Sequence, residues 1–196
     1  MLISLDISTS VVGLAIFDDD YKLHELTYVK FSSKEKDLYK KLTFFTEFMQ
    51  KYKHIKFTEY AVEEPLKAFK GRFSNANVIQ MLTQFNAMIS TYFYLEHRLS
   101  PVYYNVQTAR KTAFPALTIP KGHPNVKDLI WESFSNAHPT INWNYSPKTF
   151  KLVDGTYDSV DAAVVGLAHI VTKIRNKKSE KESSSEKKSS VISPNS

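Results

Sequence analysis

The sequence contains no cysteine, only five glycines in 196 residues, and no long uninterrupted apolar run. The absence of cysteine excludes disulfides and zinc sites built on thiolates. The absence of a long apolar run argues against a membrane-spanning helix. The first residues also lack the basic start and small-residue cleavage site of a signal peptide. We therefore expect a soluble, intracellular protein, although nothing in the sequence indicates a compartment or a host.

The composition that is present is that of a folded, basic protein. Hydrophobic residues make up 42% of the chain and aromatic residues 13%, which is enough to build one domain with a core. The formal net charge is +6 and the isoelectric point is about 9.3. A basic balance suits a polyanionic partner such as nucleic acid, because lysine and arginine release the counterions condensed on phosphates. Solubility alone is the alternative explanation for the charge.

Short apolar, β-prone runs alternate along the chain with segments of helical periodicity. Strands are predicted at 2–5, 13–17, 22–31, 57–64 and 101–106, and helices at 37–52, 75–98, 126–137 and 158–175. In the first predicted helix the lysines are expected on the face opposite the apolar residues. This order predicts an α/β fold in which helices cover a mixed sheet. Residues 1–175 form one domain in this interpretation, and 176–196, rich in Lys, Ser and Glu, form a disordered tail.

Acidic residues stand at the ends of two predicted strands. Asp6 directly follows the apolar run 2–5, where a buried carboxylate is costly unless a cation or a donor compensates it. The alternative is an Asx-turn into residues 8–10. Glu63 and Glu64 end another apolar strand, and adjacent strand residues point to opposite faces of a sheet. At most one of the two glutamates is therefore expected to join Asp6.

Two further aspartates, Asp158 and Asp161, are three residues apart and so share one face of the last predicted helix. Helix capping explains Asp158 but explains Asp161 poorly, since small apolar residues follow it at 162–168 and let the helix lie close to a sheet. Converging carboxylates without cysteine favour a hard cation, hence Mg²⁺, for which Mn²⁺ can substitute. Such ions suit the hydrolysis of a phosphodiester, which makes a DNA nuclease the leading hypothesis.

These residues also form a recognisable pattern. Residues 5–13, Leu-Asp-Ile-Ser-Thr-Ser-Val-Val-Gly, resemble the first strand and turn of RuvC-type Holliday junction resolvases, which belong to the RNase H-like superfamily. Residues 61–63, Ala-Val-Glu, resemble their second motif, and 157–163, Tyr-Asp-Ser-Val-Asp-Ala-Ala, resemble their closing motif. The chain departs from the family after the first aspartate, where Ile7-Ser8 stands in place of Pro-Gly.

The resemblance implies a five-stranded mixed sheet of the RNase H-like type, a two-metal site and a homodimer that nicks opposing strands of a four-way DNA junction. It places the catalytic and metal-binding carboxylates on Asp6, Glu63, Asp158 and Asp161. Glu63 aligns with the motif better than Glu64, which remains the alternative ligand. The broad apolar arc of the predicted helix 75–98 also favours a homodimer, because a second face is left for a partner copy.

Basic and aromatic residues complete the predicted site. Family members carry lysines between the fifth strand and the next helix, and Lys121 is the candidate here for neutralising charge in the transition state. Simple contact with backbone phosphate or solvent is the alternative role. The residues predicted to bind DNA are Phe69, Lys70, Arg72, Phe73, Arg110, Lys111 and Lys127. The two phenylalanines either stack on an unpaired base or pack under their loop.

Two other functions fit the same sequence less well. A nuclease of the same fold acting on replication forks, flaps or RNA–DNA hybrids would use the same acids, because surfaces outside the acidic cluster read the shape of the substrate. An actin-like or sugar-kinase ATPase has a similar opening phosphate motif. That class needs a second, glycine-rich phosphate loop and a larger chain, and five glycines supply neither.

Overall fold

A computed structural model describes residues 1–65, 76–120 and 122–189, the last nine of these by their backbone alone. The strands are β1 (Leu2–Ile7), β2 (Val11–Phe17), β3 (Leu23–Lys30), β4 (Glu59–Glu63) and β5 (Val102–Tyr104). The helices are α1 (Leu38–Met49), α2 (Ala76–His97), α3 (Val106–Ala113), α4 (Val126–Ala137) and α5 (Thr156–Ser189), and a single 3-10 turn follows α1. All five predicted strands and all four predicted helices are present.

The five strands form one mixed sheet in the order β3-β2-β1-β4-β5. The first three strands are antiparallel neighbours, which tight turns can join, whereas β1, β4 and β5 run parallel. The helices α1 and α2 lie in the chain between the parallel strands and make the crossovers that parallel pairing requires. The expected α/β fold, with a mixed five-stranded sheet flanked by helices, is confirmed.

Each face of the sheet has its own core. One face carries Ile3, Leu5 and Ile7 of β1 against aromatic residues of α1 and α2, among them Phe45 and Phe93. The opposite face carries Leu2 of β1, with Ala15, Phe17 and Ala61 of neighbouring strands, against α3, α4 and α5. The two cores follow from the alternation of side chains along each strand, since odd and even residues of β1 point to opposite faces.

The last helix lies close against the sheet, as its small residues predicted. Gly166 faces Ser4 and Phe17, where a β-carbon would approach the hydroxyl oxygen of Ser4 to 2.6 Å. Helical structure continues past residue 175, the predicted end, as far as Ser189, and the side chains from Arg175 to Glu180 are exposed. A disordered tail from residue 176 stays a prediction.

Two local features differ from the sequence-based expectation. The sequence predicts a strand at 101–106 and no helix directly after it, whereas the structure has the helix α3 there. Asn105 caps it, because its side-chain oxygen accepts hydrogen bonds from the backbone N–H groups of Gln107 and Thr108. The lysines of α1 do not all lie opposite the apolar face, because Lys41 is buried beside Phe45 and Met49.

Within the ranges described, none of the helices has the length and apolar content that a membrane span requires.

Candidate active site

Asp6 and Glu63 meet at the carboxyl ends of two neighbouring parallel strands. In the register of β1 and β4, Leu5 pairs with Val62, so that Asp6 and Glu63 are the next residues on the two strands. Carboxyl ends of parallel strands open at one edge of a sheet, where ligands of α/β proteins commonly bind. The two strands therefore bring both acids to the same edge.

Strand alternation also separates Glu63 from its neighbour Glu64. Ala61 packs in the core under α5, and Glu59 pairs with His169 and Lys173 of that helix. Because alternate residues of a strand share a face, Glu63 points to the side of α5 as well. Glu64 follows the last residue of β4, and its backbone N–H donates to the Tyr104 carbonyl. The geometry thus favours Glu63 as the partner of Asp6, and its role as a ligand stays a prediction.

The start of α5 brings Asp158 and Asp161 to the same place. Gly13 of β2 is the register partner of Asp6, and a β-carbon on Gly13 would overlap the backbone of Asp158. Only glycine permits this approach, which sets the first turn of α5 directly over the end of β1. Asp161, one turn further along, is buried with 6% of its surface exposed. Its burial is the feature that helix capping left unexplained.

Asp6 and Glu63 ionise less readily than free carboxylic acids. Burial raises the pKa of Asp6 well above its usual value, and the charges of Glu63, Asp161 and Asp158 add to this, while Lys127 opposes it. Burial, reinforced by Asp161, likewise raises the pKa of Glu63 to about 7. Two neighbouring acids whose pKa values are raised by burial and by like charges are typical of functional sites.

Two basic side chains face the carboxylates. The guanidinium of Arg110 on α3 donates to Asp161 at 2.9 Å, and both side chains are largely buried. The ammonium of Lys127 at the start of α4 lies 3.9 Å from Asp158 and 3.9 Å from Asp161, and its side chain is half exposed. The Nε atom of Arg110 is buried, and the described residues offer it no hydrogen-bond partner. The Nε–H group of Arg110 can therefore still donate a hydrogen bond.

These side chains are of the chemical type that binds a hard divalent cation, but their spacing in this structure suits such an ion less well. Carboxylate oxygens are the ligands that Mg²⁺ and Mn²⁺ prefer. Four acids facing two cations leave two formal negative charges uncompensated when all are ionised. Yet no three or more His, Asp or Glu side chains of the described ranges are placed to share one ion. Arg110 is paired with Asp161, and Lys127 lies within ion-pairing distance of both Asp158 and Asp161.

The other predicted site residues divide into three groups. Arg110 and Lys127 contact the acids directly, and their binding of DNA stays a prediction. Lys111 is exposed on α3 and lines a pocket together with Arg110. Lys121 and the residues of the predicted DNA-contacting loop lie outside the described residues, and these are Phe69, Lys70, Arg72 and Phe73.

The pairing of Arg110 with Asp161 was not foreseen from the sequence. The short helix α3 carries it, and eight residues show too little periodicity to stand out. The available signal was Asn105, an N-cap residue type directly after a strand. With α3 recognised, Arg110 lies three residues before Ala113, which packs in the core shared with α5, so its side chain can reach that helix.

Comparisons with known proteins agree with this architecture. Thermus thermophilus RuvC in complex with Holliday junction substrate is 13% identical over 89% of this chain and 95% of that chain, with a TM-score of 0.59. The yeast mitochondrial Holliday junction resolvase Ydc2 is 9% identical over 90% of this chain and 80% of that chain, with a TM-score of 0.58. No family model and no curated protein sequence matches the chain. The chain therefore has the RuvC-type, RNase H-like fold, as the sequence resemblance implied.

Proposed function

We propose that this protein is a structure-selective DNA endonuclease that resolves four-way junctions by hydrolysis of phosphodiester bonds. The observation that carries the proposal is the gathering of half-buried Asp6 with Glu63, Asp158 and Asp161 at the open edge of the sheet. Folding alone gives no reason to gather four acids in a chain of net charge +6. The fold shared with structures of junction resolvases supports the choice of substrate.

In this proposal the four carboxylates hold Mg²⁺, for which Mn²⁺ can substitute. Bound divalent ions supply an activated water and stabilise the leaving oxygen of the phosphodiester. The part played by the chain is to keep Asp6 and Glu63 on rigid strands and Asp158 and Asp161 on a rigid helix. Sites built on such elements keep their ligands in position better than sites built on loops.

Arg110 and Lys127, which contact the acids, are also proposed to bind the phosphate of the DNA. Arg110 and Lys127 are donors only, so that they bind either a carboxylate or a phosphate oxygen. We infer that arriving DNA draws them from Asp161 and Asp158 toward the phosphate, where their charge favours the transition state. Lys121 is proposed for the same role, and Lys111 for contact with the DNA backbone. The residues Phe69, Lys70, Arg72 and Phe73 are proposed to bind DNA.

Resolution of a junction requires two cuts, and we propose a homodimer that carries two sites. The supporting feature is α2, which buries Phe85, Ile89 and Phe93 under the sheet and exposes Val78 and Leu95. Exposed apolar residues on a helix are suited to contact with a second copy across a two-fold axis. Sedimentation at micromolar concentration is expected to show a dimer, and a monomer would contradict the proposal.

Cleavage of a synthetic four-way junction with Mg²⁺ tests the function. The variants Asp6→Asn and Asp161→Asn are expected to lose at least about a hundredfold in rate, because each removes a carboxylate that is proposed to hold Mg²⁺. The matched control is Asp20→Asn, the same chemical change in an exposed turn. Survival of cleavage in both site variants would show that the assigned site is wrong. Far faster cleavage of forks or hybrids by the unmodified protein would refute the substrate and leave the chemistry intact.

A further inference from the structure

A basic pocket of about 680 Å³ lies beside the turn that joins β1 to β2. Three lysines line it, Lys30, Lys36 and Lys41, together with Thr9 and Ser10 of the turn and one acid, Glu35. None of these residues belongs to the acidic site. The turn begins directly after β1, so that the pocket opens at the sheet edge where Asp6 stands, but on the side of α1.

Lys41 is an unusual residue for the position it occupies. Only 6% of its surface is exposed, and its ammonium donates to the carbonyl oxygen of Thr9 at 2.7 Å. No carboxylate of the described ranges forms an ion pair with it. Burial and the nearby charge of Lys36 lower the pKa of Lys41, and the charge of Glu35 opposes them only in part. A buried cation without a counterion is unfavourable, which indicates that an anion is missing from its surroundings.

The charges around Lys41 are also placed against the helix dipole. Lys40 and Lys41 both lie in the first turns of α1, whose first turn contains no acidic residue. The amino end of a helix carries partial positive charge and disfavours cations. Asp37 already caps this end, because its side-chain oxygen accepts hydrogen bonds from the backbone N–H groups of Tyr39 and Lys40. The helix end therefore has an anion of its own, and the need for a further one comes from the buried ammonium of Lys41.

The other charged groups of the pocket are mostly engaged elsewhere. Lys30 pairs with Asp154 at 2.8 Å. Glu35 lies 4.0 Å from Lys40 and accepts a hydrogen bond from the backbone N–H of Asp37 at 2.8 Å. Lys36 and Lys41 are thus the two pocket lysines that no ion pair among the described side chains neutralises. The hydroxyls of Thr9 and Ser10 add neutral donors of the kind that bind phosphate oxygens.

The position of the pocket suits the backbone of the strand that enters the acidic site. Thr9 is three residues from Asp6, so that their Cα atoms are separated by at most about 11 Å. Successive phosphates of one strand rise about 3.4 Å along a duplex axis. A phosphate held at the pocket is therefore only a few nucleotides from one held at the acids.

We propose that this pocket binds a phosphodiester phosphate of the DNA strand that flanks the cleaved bond, with Lys41 and Lys36 as its cationic donors. The identity of the polyanion rests on the proposed function, whereas the preference for a phosphate rests on the pocket. The pocket positions the DNA and takes no part in the chemical step. Phosphate contacts of this kind fix the register of a protein on DNA without reading its sequence.

The test measures binding of duplex and four-way junction DNA without metal, by fluorescence anisotropy over a series of salt concentrations. Lys36→Gln and Lys41→Met are each expected to reduce the slope of log affinity against log salt by about 0.9, the value for one lost phosphate contact. Lys41→Arg keeps the charge and is expected to keep the slope. The matched control is Lys34→Gln, an exposed lysine of the same loop that does not line the pocket.

Each outcome of this experiment decides the proposal. An unchanged slope in Lys36→Gln and in folded Lys41→Met overturns it, and so does an equal loss in Lys34→Gln, which would show a general effect of charge. If Lys41→Met fails to fold, exposed Lys36 carries the test. Inorganic phosphate that stabilises the unmodified protein against heat but not Lys41→Met, with unchanged DNA binding, would assign the pocket to free phosphate instead. The unmodified protein could also fail to cut branched DNA while the pocket variants bind DNA more weakly. That result would support the phosphate pocket and refute the proposed function.

Discussion

Removing a charge from the acidic site is expected to stabilise the protein. In the substitution Glu63→Gln, a carboxylate held next to Asp6 and Asp161 becomes a neutral amide of nearly the same shape. Burial and the charge of Asp161 raise the pKa of Glu63 from 4.5 to about 7. Ionised Glu63 is therefore less stable in the folded chain than in the unfolded chain, and the amide avoids this cost.

The magnitude follows from the pKa. One pKa unit corresponds to about 1.36 kcal/mol, so that the shift of Glu63 sets an upper limit of about 3 kcal/mol. An acid whose folded-state pKa is raised costs nothing below the unfolded value, because both states are then protonated. The cost grows between pH 4.5 and about 7 and is fully present above that range. We expect Glu63→Gln to gain about 1 to 3 kcal/mol at pH 8 and nothing near pH 4.

Urea unfolding in a metal chelator, at a series of pH values, measures this difference. Glu64→Gln is the matched control, because it makes the same change at the next residue, outside the side of the sheet that faces α5. The gain of Glu63→Gln at pH 8 is expected to exceed any change in this control. Adding Mg²⁺ should stabilise the unmodified protein, since a ligand of the folded state shifts unfolding by mass action. The same addition should stabilise Glu63→Gln far less.

Two results would refute this reasoning. Equal or lower stability of Glu63→Gln at pH 8 would mean that Glu63 is not held among like charges. The same gain in Glu64→Gln would mean that the effect comes from the net charge of the chain. Loss of junction cleavage in Glu63→Gln, together with the gain in stability, would give the pattern expected when a protein keeps a costly charge for its function.

Two further perturbations test how the site is assembled. Gly13→Ala is expected to lower the free energy of unfolding by about 1 to 3 kcal/mol, because its β-carbon overlaps the backbone of Asp158; an unchanged urea midpoint would show that β2 and α5 do not approach this closely. Burial opposes ionisation of Glu59, but hydrogen bonds from Lys173 and His169 lower its pKa. Its stabilising effect is therefore present above pH 4.5 and lost on acidification, and Glu59→Gln should show a smaller loss of stability in acid than the unmodified protein.

Much of the fold could be predicted because its signals are local. Apolar runs and turn residues mark the strands, and small residues after Asp161 indicate a helix that lies close to a sheet. The helix α3 was not predicted, because it is short and begins almost directly after β5. Lys41 was expected on the solvent side of α1, and its burial could not be read from the chain. Its partner is the carbonyl oxygen of Thr9, 32 residues away in sequence.

The sequence by itself determined the types of residue in the acidic site, the faces on which Asp158 and Asp161 stand, and the exclusion of thiolate chemistry. Only the tertiary structure decided which glutamate faces α5, that Arg110 and Lys127 hold the aspartates, and that Lys41 is buried without a counterion. The physical reason is the range of the forces involved. Periodicity and strand alternation act between near neighbours in sequence, whereas the pKa of Glu63 depends on charges carried by α3, α4 and α5.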